Sequence, residues 1–129
     1  MNKLIFIITL GMFALAACTK PAPQTKKITE KDTGAQIELR IGDTLEISLA
    51  GNATTGYLWE VTKLDEKIIK QAGEADYKPE SNLAGAPGMA TIRFSAVAAG
   101  NTTVELAYRR PWEKDKPPEK LFQLKVNVK

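Results

Sequence analysis

The chain has 129 residues and carries 18 lysines and arginines against 15 aspartates and glutamates, no histidine and one cysteine. The missing histidine excludes Ser-His-Asp, Cys-His and HExxH sites, and a single cysteine excludes an internal disulfide or a CxxC site. The formal charge of +3 lies in a mixed-sign pattern, so nucleic acid is not expected as a partner. We therefore expect one domain that needs no metal or cofactor and acts by presenting a surface.

The N-terminus has the composition of a secretory signal. Lys3 precedes an apolar run from Leu4 to Ala17, which is too short for a transmembrane helix of about 20 residues. The next residue is the only cysteine, and the sequence Leu-Ala-Ala-Cys at 15–18 resembles a bacterial lipobox. That resemblance implies a signal peptide over 1–17 and a lipoprotein held in the membrane by acyl chains such as palmitate on Cys18.

The residues after the cysteine are polar and include two prolines. Thr19, rather than aspartate, follows Cys18. By resemblance to sorting in Gram-negative bacteria, this implies the outer membrane, facing the periplasm. We expect residues 18–34 to form the lipidated N-terminus and a flexible tether.

From Ala35 onward, apolar and polar residues alternate in short runs separated by turn residues. Gly73 and Pro79 discourage a helix in the one ambiguous stretch, which we interpret as an irregular strand. The predicted strands are 35–41, 43–50, 57–63, 70–77, 89–98, 102–109 and 120–128. This pattern predicts an all-β, immunoglobulin-like antiparallel sandwich of about seven strands over 35–129.

Three connections have unusual compositions. They are Gly-Asn-Ala-Thr-Thr-Gly at 51–56, a Gly- and Pro-containing stretch at 79–88, and Arg-Arg-Pro-Trp followed by charged residues at 109–118. Each is compatible with an ordinary turn, a packed aromatic or a solvated charge. Because strands of an antiparallel sandwich alternate in direction, all three are expected at one end, where an exposed tryptophan beside proline indicates binding.

The three connections together resemble the chagasin family of cysteine-protease inhibitors. The family patterns Asn-Pro-Thr-Thr-Gly, Gly-x-Gly-Gly and Arg-Pro-Trp have counterparts here in the same order. The flanks Gly56-Tyr57-Leu58-Trp59, Ala98-Ala99-Gly100 and Tyr108 agree as well. The matching residues are Asn52, Ala53, Thr54, Thr55 and Gly56, then Gly85, Ala86, Pro87 and Gly88, then Arg110, Pro111 and Trp112.

Two positions depart from the family pattern. Ala53 stands where the family has proline, so the first loop lacks a fixed φ. Pro87 stands where the family has glycine, which removes an N–H donor. We expect both departures to affect affinity rather than mechanism.

The resemblance implies a reversible, tight-binding inhibitor of papain-like cysteine proteases, with the twelve residues above contacting the protease and no catalytic residue of its own. Thr54 and Thr55 would enter the active-site cleft, and Trp112 would lie on one wall. Arg110 would orient its loop or bond a wall carbonyl, while Pro111 keeps that loop extended. The protein would be a monomer and not an enzyme.

Two other interpretations use the same residues. An immunoglobulin-like envelope lipoprotein could bind other proteins or peptides without inhibiting a protease. An enzyme would have to rely on carboxylates such as Asp65 and Glu66. These two lie in a mixed-sign stretch that is typical of a solvated surface, so the enzyme is the weaker interpretation.

Overall fold

The computed structural model describes Gly11, Ala14, Ala16, Ala17 and residues 19–129. The predicted lipidation site, Cys18, and most of the predicted signal peptide lie outside the described residues. In the described part of the chain, no helix is long and apolar enough to cross a membrane.

Residues 19–129 form nine strands and two short 3₁₀ turns. The 3₁₀ turns are Glu30–Asp32 and Ala53–Thr55. In chain order the strands are β1 (Thr25–Thr29), β2 (Gln36–Leu39), β3 (Thr44–Gly51), β4 (Leu58–Lys63), β5 (Ile69–Gln71), β6 (Asp76–Pro79), β7 (Gly88–Ala96), β8 (Gly100–Arg109) and β9 (Lys120–Val128).

The strands form two sheets packed face to face. In the first sheet the order is β1-β3-β7-β5, and β6 also pairs with β7; in the second it is β2-β9-β8-β4. Most neighbours are antiparallel, but β1 runs parallel to β3 and β2 runs parallel to β9. The predicted all-β sandwich is confirmed, with nine strands in place of about seven.

The core lies between the sheets and follows the predicted alternation. On β3, for example, Leu45, Ile47 and Leu49 are fully buried while the residues between them face outward. Each such side chain contributes about 1.5–3 kcal/mol relative to full exposure. Other buried apolar side chains in this core are Ile37, Leu39, Ile92, Phe94, Val104, Leu106, Phe122, Leu124, Val126 and Val128.

The expected flexible tether over 18–34 is corrected by the structure from Thr25 onward. Residues 25–29 form β1, which pairs in parallel with β3 from Thr25 opposite Thr44 to Thr29 opposite Ser48. Ile28, the one apolar residue of the strand, is buried in the core. Composition could not reveal this strand, because a short, polar strand is stabilised mainly by hydrogen bonds to a neighbour distant in sequence.

Two predicted strand boundaries also change. The strand predicted at 35–41 ends at Leu39, and Ile41 is 57% exposed in the turn that follows. The strand predicted at 70–77 is two strands, β5 and β6, on the same edge of β7. Gly73 lies between them with a φ of 79°, a left-handed conformation that interrupts an extended chain.

Asp43 ties the N-terminal segment to the β2–β3 turn. Its Oδ1 accepts a hydrogen bond from the Gln24 N–H at 2.9 Å, and its Oδ2 accepts one from the Arg40 N–H at 2.8 Å. The bond from Gln24 and then that from Arg40 lower the pKa of Asp43 below its ordinary value, because both favour the ionised carboxylate. The ionised Asp43 carboxylate therefore fixes the segment just before β1 by a hydrogen bond.

We predict that Asp43→Asn destabilises the domain by about 1 kcal/mol at pH 7. This is at the low end for hydrogen bonds to a charged group, because the Asp43 carboxylate is close to solvent. Because the pKa of Asp43 is lower in the folded than in the unfolded protein, its contribution to the free energy of unfolding is complete above the unfolded pKa of about 4. The contribution is lost as the pH falls through the folded pKa. Urea unfolding of both proteins at pH 7 and pH 3 measures this, with the exposed Asp115→Asn as control. If the two proteins differed in free energy of unfolding by the same amount at pH 7 and at pH 3, the prediction would be wrong.

Candidate functional site

The three unusual connections lie together at one end of the sandwich, as predicted. They are residues 52–57 between β3 and β4, residues 80–87 between β6 and β7, and residues 110–119 between β8 and β9; we call this end the loop rim. The Asn52 side-chain N–H donates to the Gly85 carbonyl at 3.0 Å. The Arg110 Nε donates to the Thr55 carbonyl at 3.0 Å. The central loop is thus bonded to both of its neighbours.

The central loop folds as a single 3₁₀ turn capped by Asn52. The Asn52 Oδ1 accepts hydrogen bonds from the Thr54 N–H at 3.1 Å and from the Thr54 hydroxyl at 2.5 Å. The Thr55 hydroxyl donates to the Asn52 carbonyl at 2.6 Å. Gly56 closes the turn in the left-handed conformation with a φ of 82°. Asparagine and threonine side chains, which the family pattern shares, therefore order this turn with alanine at position 53.

Both threonines remain exposed at the tip of the loop. Each hydroxyl uses its proton within the loop, but its oxygen keeps a lone pair that can accept a bond from a partner. The tip thus offers acceptors rather than donors at Thr54 and Thr55.

An aromatic cluster supports the central loop from below. The Asn52 backbone N–H donates to the Tyr108 hydroxyl at 2.7 Å. The Tyr108 ring packs against Tyr57 at 5.3 Å and Trp59 at 5.1 Å between centroids, and the Trp59 Nε1 donates to the Ala50 carbonyl. These three rings were not among the residues predicted for the site. Their signal was the alternation that places Tyr57 and Trp59 on one face of a strand.

Arg110 holds two of the loops together. Its guanidinium carbon lies 4.7 Å from the centroid of the Tyr57 ring, and its Nη1 is 3.5 Å from Glu113 Oε1. With the bond to Thr55, these contacts use two of the five N–H donors of the guanidinium. These contacts hold Arg110 and its loop against the central loop.

Trp112 is 69% exposed, yet its ring is seated on the central loop. A Cβ placed on Gly56 would lie 2.6 Å from Trp112 Cη2, so only glycine permits the ring to approach this closely. The result is a large apolar surface held in a defined position beside Thr54 and Thr55.

The predicted site residues between β6 and β7 divide into exposed and buried sets. Gly85 and Pro87 are exposed, whereas Ala86 and Gly88 are buried, so the latter two shape the loop rather than line its outer surface. A side chain on Gly88 would collide with the Lys78 carbonyl. Leu83, which is 78% exposed at the tip of this loop, was not among the predicted site residues; its signal was an isolated leucine in a polar stretch.

Among the described residues, no group of three or more His, Cys, Asp or Glu side chains is placed to bind a metal ion. The rim is shaped by hydrogen bonds, an aromatic cluster, two cation-π contacts and the Arg110–Glu113 ion pair. The fold and this site define a binding protein that displays three linked loops from one end of a β-sandwich.

Comparison with known proteins gives the family. The model of the chagasin family of peptidase inhibitors, family I42, matches residues 38–126. The chain belongs to this family, whose members are inhibitors and not enzymes.

Relatives and solved structures agree with this assignment. Chagasin of Trypanosoma cruzi is 36% identical over 90 residues, covering 67% of this chain and 82% of chagasin. Amoebiasin-2 of Entamoeba histolytica is 28% identical over 119 residues, covering 92% of this chain and 97% of the relative. The crystal structure of a cysteine protease inhibitor from Entamoeba histolytica superposes with a TM-score of 0.76 at 28% identity, covering 85% of this chain and all of that one.

We predict that Tyr108→Phe destabilises the domain by about 1 kcal/mol, because the Asn52 N–H loses its acceptor while the ring contacts remain. Hydrogen exchange at the Asn52 amide should accelerate, and urea unfolding gives the loss of stability. Tyr77→Phe is the matched control, since the Tyr77 hydroxyl makes only a 3.5 Å contact with the Ala86 carbonyl. Equal effects of the two substitutions would exclude a special role for Tyr108.

We predict that Gly56→Ala displaces Trp112, whereas Gly85→Ala does not. Both glycines have positive φ, so alanine costs about 1 kcal/mol of backbone strain at each. Only at Gly56 would the new methyl group meet the indole; nothing lies within 4 Å at Gly85. The tryptophan fluorescence spectrum should therefore change in Gly56→Ala alone. The same spectrum in both variants would refute the close contact between Trp112 and Gly56.

Proposed function

We propose that this protein is a reversible, tight-binding inhibitor of papain-like cysteine proteases and that the loop rim enters the active-site cleft of the enzyme. The observation that carries the proposal is the prebonded central loop, with Thr54 and Thr55 exposed at its tip and the apolar surfaces of Trp112 and Leu83 also presented at the rim. The structure from Entamoeba histolytica is that of a cysteine protease inhibitor, which supports the same activity here.

The conformation of the central loop explains how it can occupy a protease without being cut. Cleavage requires a carbonyl that is free to receive the thiolate and to place its oxygen among oxyanion-stabilising donors. The Asn52 carbonyl accepts bonds from the N–H and the hydroxyl of Thr55, the Ala53 carbonyl accepts the Gly56 N–H, and the Thr55 carbonyl accepts Arg110 Nε. Three of the four carbonyls of residues 52–55 are therefore engaged, the exception being that of Thr54, and the turn is not the extended chain of a substrate.

Affinity in this proposal comes from order that exists before binding. The bonds from Asn52 to Gly85 and from Arg110 to Thr55 hold the three loops in a single arrangement. Because less conformational freedom is lost on association, more of the contact energy appears as affinity. A contact of about 800 Å² on each partner is the usual size for such a complex.

Trp112 is the proposed energetic centre of one flank. Large aromatic side chains dominate binding energies when a partner buries them, and this ring is exposed but fixed by its contact with Gly56. Pro87 and Gly85 would contact the opposite wall through backbone and ring atoms, while the buried Ala86 and Gly88 act by shaping their loop.

We further propose that the protein works as a monomer anchored in the cell envelope through acyl chains on Cys18, at the outer membrane and facing the periplasm. The support is the short apolar run, the lipobox-like residues 15–18 and Thr19 after the cysteine. An anchored inhibitor would protect the space next to the membrane from a protease that enters it.

We predict that the fragment from Thr19 to Lys129, which contains all nine described strands, inhibits papain reversibly. Titration of papain, scored by residual activity and by recovery on dilution, measures this. No inhibition at micromolar fragment would overturn the protease proposal and favour an envelope protein that binds other partners.

We predict that Trp112→Ala weakens papain inhibition by about 2 kcal/mol, or roughly thirtyfold, if a protease wall buries the ring. Ile41→Ala is the matched control, since Ile41 is an exposed apolar side chain away from the loop rim and should leave inhibition unchanged. An inhibition constant unaffected by the loss of Trp112 would remove this residue from the interface.

We predict that the full chain, expressed in a Gram-negative host, is cleaved before Cys18 and acylated there. Mass spectrometry of the N-terminal peptide should show a mass increase of attached acyl chains, and Cys18→Ala should abolish both processing and recovery in the membrane fraction. An unmodified N-terminal cysteine would refute the anchor while leaving the inhibitory proposal intact.

A further inference from the structure

The chain enters the domain at the end opposite the loop rim. We call this the turn end; it consists of residues 20–24, the β2–β3 turn at 40–43 and Lys129. Because β1 runs parallel to β3, both strands start at the turn end, and β3 finishes at the rim. An eight-residue strand is about 25 Å long, so the rim is separated from the point of entry by the length of the sandwich.

The attachment to a lipidated Cys18 would be short. Gln24 is fixed by its N–H bond to Asp43 at 2.9 Å and by its carbonyl, which accepts the Thr44 N–H at 2.8 Å. Five residues lie between Cys18 and Gln24, so the two are at most roughly 20 Å apart. The β1 strand thus replaces the expected long tether with a close connection.

The turn end has the chemistry of a membrane-contacting surface. Ile41 is an exposed apolar side chain, and it lines one shallow cavity together with Lys20 and Arg40. Neither cation forms an ion pair with another described residue. An apolar side chain beside basic ones matches the boundary between acyl chains and anionic headgroups.

Acidic groups also lie at this end: Asp43 lines the same cavity and keeps its charge, and Asp65 and Glu66 lie to one side of it. The Asp43 carboxylate accepts two backbone N–H bonds, and Glu38 pairs with the Lys129 ammonium at 3.1 Å. Asp65 and Glu66 precede β5, which β7 separates from β3. Of the cations that line this cavity, Lys20 and Arg40 are those without a salt bridge to another described residue.

We infer that the turn end is a membrane-docking surface, which contacts anionic phospholipid headgroups through Lys20, Arg40 and Ile41 and directs the loop rim away from the bilayer. This inference rests on the proposed acylation of Cys18. It goes beyond attachment, because it fixes which end of the domain faces the lipid and which end faces a protease.

Site-specific quenching tests this orientation in the mature lipoprotein reconstituted into vesicles. Acylated Cys18 has no free thiol, so Ile41→Cys and, as its matched control at the rim, Leu83→Cys each provide a single labelling site. With nitroxide-headgroup lipids in phosphatidylglycerol-containing vesicles, we expect a fluorophore at position 41 to be quenched at least fivefold more strongly than one at 83. Equal quenching, or stronger quenching at 83, overturns the docking surface.

A further control separates the two proposals, acylation of Cys18 and contact of the turn end with the bilayer. The protein without an added cysteine should not react with a maleimide dye; reaction would refute the acylation and the docking surface with it. If that protein is unreactive and position 41 is not selectively quenched, the anchor stands and the orientation alone is wrong.

A charge-reversal pair tests the headgroup contact. Lys20→Glu with Arg40→Glu should reduce quenching at position 41 in phosphatidylglycerol vesicles, and the reduction should shrink in purely zwitterionic vesicles or at 1 M salt. Lys78→Glu with Lys114→Glu, two exposed lysines near or at the rim, is the control and should have no effect. The same quenching before and after reversal of the turn-end pair overturns the electrostatic contact.

Discussion

The loop rim depends on Asn52, which connects the core of the sandwich to the central loop and to the loop between β6 and β7. Its backbone N–H bonds to Tyr108 in the core, its side-chain oxygen caps the central turn, and its side-chain N–H bonds to the loop that contains Gly85. No other residue type combines a short acceptor and a donor pair in this way while also tolerating the N-cap conformation. The order of the exposed threonines therefore originates in hydrogen bonds made by one side chain and its backbone.

The central turn is ordered although position 53 is alanine, where the family pattern has proline. A proline there would restrict φ, but the 3₁₀ turn is already closed by hydrogen bonds within 52–56 and by the guanidinium of Arg110. The aromatic cluster of Tyr57, Trp59 and Tyr108 makes the base of the turn rigid because ring packing leaves little room for movement. The two ends of the domain therefore differ: the loops lie at one end, and the N-terminal segment enters the fold at the other.

Much of the fold and of the candidate site could be predicted from the sequence, and the omissions have physical causes. Strands such as β3, β8 and β9 were predictable because one face is buried and alternation records that burial. β1 was not, because one buried residue, Ile28, cannot produce a periodic pattern. Likewise, the loop motifs identified the residues of the rim, but not that Ala86 and Gly88 are buried or that Leu83 is exposed, since burial depends on neighbours distant in sequence.

From its own pattern, the chain specifies a β-sandwich with three distinctive loops at one end, because alternation and turn residues act through local backbone geometry. The tertiary structure decided which groups meet: Asn52 with Tyr108, Arg110 with Tyr57, Gly56 with Trp112. It also decided that residues 25–29 form a strand and that the chain enters opposite the loops. These features arise from contacts between segments up to 56 positions apart, and no local pattern in a single sequence encodes such contacts.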